Sequence, residues 1–76
     1  MILDTRKRPT GYFDCDGNHI FCGMFVCEID DEGFFIQDLF YQVGWHVTEN
    51  ECMLENESGV TIPLRIYDPD SIKILP

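Results

Sequence analysis

Asp14-Cys15-Asp16-Gly17-Asn18-His19-Ile20-Phe21-Cys22-Gly23-Met24-Phe25-Val26-Cys27 reads as a tight turn followed at once by a strand. In Asp16-Gly17 the Asp can bond its own backbone two residues on, and the Gly accepts the positive φ of a sharp reversal. Ile20, Phe21, Phe25, Val26 and Ile29 are β-branched or aromatic types that suit a pleated, half-buried surface. Gly23, in their midst, predicts a bulge or sharp bend in a central strand from about Ile20 to Ile29.

Working outward, Asp30-Asp31-Glu32-Gly33 closes a hairpin whose return strand is Phe34-Phe35-Ile36-Gln37. The segment 38–44 is apolar without clean alternation, and reads equally as a strand continuation, a helical turn or a capping loop. Trp45-His46-Val47-Thr48 alternates as a strand, Glu49-Asn50-Glu51 turns, and Cys52-Met53-Leu54-Glu55 pairs back. Asn56-Glu57-Ser58-Gly59 turns again before a strand over Val60–Leu64, in which Pro63 marks an edge or bulge. Asp68 to Ser71 has the composition of one tight turn, with 3₁₀ geometry as an option, before a last strand carrying Ile72 and Ile74. Upstream, Met1 to Arg8 reads as an edge strand or arm in which Ile2 and Leu3 pair and the basic triplet Arg6-Lys7-Arg8 faces water.

Five or six short antiparallel strands without a helical period predict an all-β fold. At 76 residues the economical form is a small, strongly bent barrel of the SH3-like kind, because closure removes sheet edges. Residues 1–9 would be the arm or edge strand and residues 10–76 the single barrel domain. Strict alternation puts Phe25, Trp45, Val47, Ile62 and Ile72 inward and Glu28 outward.

The charge is lopsided. Fourteen acids face five bases, for a formal charge of -9, and from residue 9 onward only Arg65 and Lys73 oppose thirteen acids. Such a body repels nucleic acid and attracts basic protein surfaces, although acidity also serves solubility. No apolar run reaches the length of a membrane span and no secretory signal precedes the cysteines, so the expected compartment is cytoplasmic and Cys15, Cys22, Cys27 and Cys52 are expected to be reduced. Their spacing with His19 is irregular for zinc, so neither metal nor other cofactor is expected.

No catalytic constellation emerges. His19 lies four residues from Cys15 across a turn, which enforces no geometry, and the paired carboxylates fall in turns with no pocket to shift their pKa. Asp14-x-Asp16-Gly17-Asn18 has the wrong order for a calcium loop. The expectation is a protein that is not an enzyme.

The segment from Thr10 to Val26 resembles the pattern T-G-L-x-D-x-x-G-K-x-I-x-x-G-D-x-V of YopX-type proteins of phages and prophages, matching at Thr10, Gly11, Asp14, Gly17, Ile20, Gly23 and Val26. Tyr67-Asp68-Pro69-Asp70-Ser71-Ile72-Lys73-Ile74 is similar to that family's close, Y-D-x-x-S-I-x-V. The chain departs from the pattern at Asn18 and Met24. The resemblance implies a phage or mobile-element context and no particular activity.

Charge and context together predict a phage-type protein that inhibits a host nucleic-acid-binding defence protein, of the anti-CRISPR or anti-restriction kind, by offering carboxylates where phosphates are expected. The expected contact residues are Asp30, Asp31, Glu32, Glu49, Glu51, Glu55 and Glu57, merged into one patch at a barrel end, with Phe34, Phe35, Phe40 and Tyr41 as partly exposed anchors. Its partner is the basic surface of a host protein, with no direct nucleic acid and no membrane. The alternative is a structural or assembly module of a phage that associates through its aromatics and an edge strand, to itself included.

Overall fold

The computed structural model describes residues 3–76 and, within them, the side chains of all but Gln37 and Asp38. Pairing by Ile2 lies outside the described residues. The fold is all-β, built from antiparallel sheets. Its strands are β1 (Leu3–Asp4), β2 (Pro9–Phe13), β3 (His19–Phe21), β4 (Phe25–Ile29), β5 (Phe35–His46), β6 (Glu51–Glu55), β7 (Thr61–Pro63) and β8 (Ile72–Ile74). Six of them form one sheet in the order β7-β6-β5-β4-β8, with β1 on the C-terminal end of β5, and β2 and β3 form a separate hairpin.

The chain is cut more finely than five or six strands. Residues 20–29 do bend at Gly23, as read, but sharply enough to make two strands: Gly23 has φ 94° and its N–H bonds the carbonyl of Val43. Conversely, the ambiguous segment 38–44 is the middle of a single twelve-residue strand. Val47 and Thr48, expected in a strand, belong to the turn after it. The 3₁₀ turn at Pro69–Ser71 falls within the segment read as a tight turn, while a second one at Leu64–Ile66 takes over the end of the strand expected through Leu64.

Three hairpin turns share one solution. In 14–18, 30–34 and 56–60 the first residue is Asp or Asn, and its Oδ1 accepts the backbone N–H groups two and four positions on. The fourth is Gly17, Gly33 or Gly59, with φ between 80° and 88°. The first residue's side chain holds the loop while the glycine supplies the left-handed turn.

The inner face draws on β4, β5, β6 and β8. Leu39, Tyr41, Val43 and Trp45 from β5, Cys52 and Leu54 from β6, Val26 from β4, and Ile72 and Ile74 from β8 enclose the core with Ile20, Cys22 and Leu64. The expected inward set needs correction on β4. Phe25 is 54% exposed while Val26 is fully buried in the core, so Val26 and not Phe25 faces inward there, and Cys27 and Ile29 are buried as well. Val47, in its turn, is 71% exposed, whereas Ile72 is buried and Trp45 and Ile62 pack on the core as half-buried residues. Glu28 is not turned to open water either: its carboxylate accepts the Tyr41 hydroxyl at 3.1 Å. Satisfied in this way, it can share a face with Val26 at little cost.

Candidate functional site

Acidic side chains come together where three turns meet. The 14–18 turn is docked on β8 by Asp14, which is 3% exposed and, among the described residues, the one buried charged side chain. Its Oδ1 accepts Asp16 N–H at 3.0 Å and Asn18 N–H at 2.8 Å, and its Oδ2 accepts Ile74 N–H at 3.1 Å from sixty residues away. Cys15 N–H bonds the Ile72 carbonyl beside it at 2.9 Å. The clasp brings Asp16 to the 30–34 turn and to the turn before β8, so that Asp16, Asp30, Asp31, Glu32, Asp68 and Asp70 surround one shallow concavity floored by Ile29 and Cys15. Lys73 pairs with Asp16 at 3.3 Å, at the margin.

The seven acids expected to merge into one patch fall into three places. Asp30, Asp31 and Glu32 are in the concavity, where they join Asp16, Asp68 and Asp70, three acids outside the expected set. Glu55 and Glu57 border a different cleft, on the outer sheet face with Phe25, Phe40 and Gln42. Glu49 and Glu51 sit about the β5–β6 turn, at the opposite end of β5 from Asp30, and Glu51 is held by Arg65 at 3.2 Å. Hairpins alternate ends along an antiparallel sheet, so consecutive loops cannot all gather on one side.

Of the four aromatics expected as anchors, Phe34, Phe35 and Phe40 are exposed. Tyr41 is only 4% exposed and belongs to the core, because the odd residues of β5 from Leu39 to Trp45 face inward. Burial, then its bonds to Tyr67 and Glu28, pushes the Tyr41 hydroxyl well above the ordinary tyrosine range. Phe25 takes its place on the outer face: Phe25 pairs with Gln42 and Cys27 with Phe40, so Phe25 and Phe40 are diagonal neighbours.

The basic triplet lies elsewhere on the surface and each cation has a partner. Arg6 grips Asp4 through Nη2 at 2.7 Å and Nε at 3.1 Å. That hydrogen bond, helped by the positive charge, holds the Asp4 carboxyl down at about 2. The Arg8 guanidinium stacks 3.8 Å over Trp45, and Lys7 lies 5.2 Å over Phe21, in a row of rings that continues through His19 to Phe13.

The four cysteines stand free. Burial raises each thiol, Cys52 to about 11 with help from neighbouring Cys22, which is opposite to what a nucleophilic cysteine needs. His46 Nδ1 accepts Glu49 N–H at 3.0 Å, and His19 Nε2 accepts Gly11 N–H at 3.3 Å. Among the described residues no three His, Cys, Asp or Glu side chains are arranged to hold a metal ion.

No family model matches the chain, and no curated protein or solved structure matches it. Two features of the surface are suited to binding, an acidic concavity built from three turns and a cleft with exposed aromatics bordered by Glu55 and Glu57.

Proposed function

We propose that this protein acts by binding, with the acidic concavity as the surface that meets a basic groove on a partner protein. The observation that carries the reading is the convergence of six carboxylates from three separate turns around one depression. Turns held by their own side-chain bonds present charge in a fixed arrangement, which steers association with a surface of opposite sign. A protein that handles nucleic acid has such a surface. Together with the resemblance to YopX-type phage proteins, this supports a phage-encoded inhibitor of a host defence protein of the anti-CRISPR or anti-restriction kind, working in the host cytoplasm without metal, cofactor or catalysis.

The same reading takes the two sheets as parts of one strongly bent SH3-like barrel. Support comes from the bonds between them, which run from Asp14 and Cys15 in the β2–β3 turn to β8. A second reading, an assembly module, is favoured by the exposed Phe25 and Phe40 on the outer face. Pull-down from host lysate, with wild type beside Asp31→Lys/Glu32→Lys, tests the first. A partner retained equally by both proteins at every salt concentration overturns it in favour of the second.

A further inference from the structure

We propose that the open edge of β5, over Phe35–Phe40, is a docking site for one extended, lysine- or arginine-bearing segment of a partner protein, which adds to the six-stranded sheet as a strand in line with β6. The segment's positive charge rests on the basic-partner reading above; the backbone pairing does not.

β6 ends where Glu55 meets Gln42, whereas β5 begins seven residues before Gln42. Among the described residues, the first half of β5 therefore has a strand on one side only, β4. The direction of its backbone groups follows from the ladder. Leu75 N–H bonds the Phe25 carbonyl, so odd residues of β4 face β8 and even ones face β5. Val26 thus exchanges bonds with Tyr41, in phase with the Val43 N–H to Met24 carbonyl bond. The N–H and C=O of Phe40 point the other way, toward the row that β6 occupies lower down.

Two other edges of the six-stranded sheet, those of β8 and β7, are blocked at specific positions. On β8 the outward Ile72 carbonyl and Ile74 N–H are taken by Cys15 and Asp14. On β7 the outward positions are Thr61 and Pro63, since Asn56 N–H bonds Val60 and fixes the phase, and proline has no N–H to offer. An uncovered edge template is what strand addition uses: main-chain bonds supply affinity and alternate side chains supply selectivity.

The surroundings define the occupant. Phe35, Ile36 and Phe40 along the edge are exposed, which suits alternate apolar side chains on the incoming strand. At the lower end the edge opens into a cleft of about 380 Å³ bordered by Glu55 and Glu57, and at the upper end it runs to Asp31 and Glu32. A strand lying between these carboxylates is favoured if it is cationic. A second copy of this chain is disfavoured by the charge of -9 on each molecule.

The probe is an acetylated, amidated octapeptide of alternating Lys and Val, compared with the same peptide methylated on its inner backbone nitrogens, which keeps the charge and removes the donors. The first is expected to slow hydrogen exchange at the Phe40 amide by about tenfold or more, and the methylated one to bind about tenfold more weakly or worse. Equal binding by both overturns strand addition while leaving the electrostatic reading intact. Failure of the first peptide to bind at low salt overturns the proposal, and so does protection of Phe40 that appears with protein concentration alone, which would assign the edge to a second copy.

Discussion

Asp14 does two jobs with its two oxygens, and they can be separated. Oδ1 holds the 14–18 turn and Oδ2 holds Ile74. In the 56–60 turn Asn56 does the first job alone, with bonds of 2.9 and 3.0 Å to Ser58 and Val60. Asp14→Asn should therefore keep the turn but set an amide donor against the Ile74 N–H, whereas Asp14→Ala loses both. Hydrogen bonds to a charged group contribute roughly 1.5–3 kcal/mol each, so Ala is expected to cost on the order of 3 kcal/mol or more in denaturant unfolding and Asn clearly less. Equal losses would mean that the β8 clasp carries the whole effect. Asp4 provides a pH test. Its carboxyl is held at about 2 by the Arg6 hydrogen bond, below its ordinary 3.8. A depressed acid contributes stability above its unfolded pKa and loses it as pH falls through the folded value. The melting difference between wild type and Asp4→Asn should thus be constant near neutrality and vanish between about pH 4 and pH 2. The Asp16-Gly17 turn was legible from two adjacent residues; the function of Asp14 was not, because its partner is sixty positions away.

At the scale of elements, β4 shows why a register can be misread. Met24, Phe25, Val26, Cys27 and Ile29 are all apolar, so neither parity stands out, and Glu28 alone pointed to odd residues as the inner face. Tyr41, from the neighbouring strand, removes that clue by bonding the Glu28 carboxylate. Phe25→Ala is accordingly expected to cost at most about 1 kcal/mol, as at other half-exposed positions, while Leu54→Ala in the core should cost roughly 2–5 kcal/mol. Unfolding curves of the two variants decide the register, and a large loss for Phe25→Ala would return it to the odd residues. Turns were more readable than strands, since each of the three five-residue turns carries its own Asp or Asn and its own Gly. The length of β5 was hidden because β4 covers one part of it, β6 another and β1 its end, so that no single period runs through it. Gly44 reports on the last of these contacts. A Cβ there would come within 2.5 Å of Leu3 Cβ. Gly44→Ala should push β1 off β5 at a cost of roughly 1–3 kcal/mol, seen as faster amide exchange at residues 3 and 4.

For the molecule as a whole, the charge has a direction. Carboxylates collect at the concavity near the β4–β5 turn, while Glu49 and Glu51 lie at the other end of β5, with Arg65 on Glu51. Net charge was legible from composition, and Asp30, Asp31 and Glu32 were legible as an acidic loop. Their union with Asp16, Asp68 and Asp70 was not, because it depends on the Asp14 clasp and on β8 lying beside β4. This asymmetry gives the electrostatic reading an internal control. If the concavity steers a basic partner, the association rate for Asp31→Lys/Glu32→Lys should fall by about an order of magnitude or more at low salt, with little change in dissociation. Reversing Glu49, which changes net charge by half as much but sits at the far end, should slow association only slightly near 0.15 M salt. Near 0.15 M salt the Debye length is about 8 Å, short compared with the 35 Å length of the molecule, so the two ends act separately. Association measured across a salt series for the three proteins then distinguishes a located site from bulk charge: a slowing that tracks only the number of charges reversed, regardless of position, would leave the concavity with no special role.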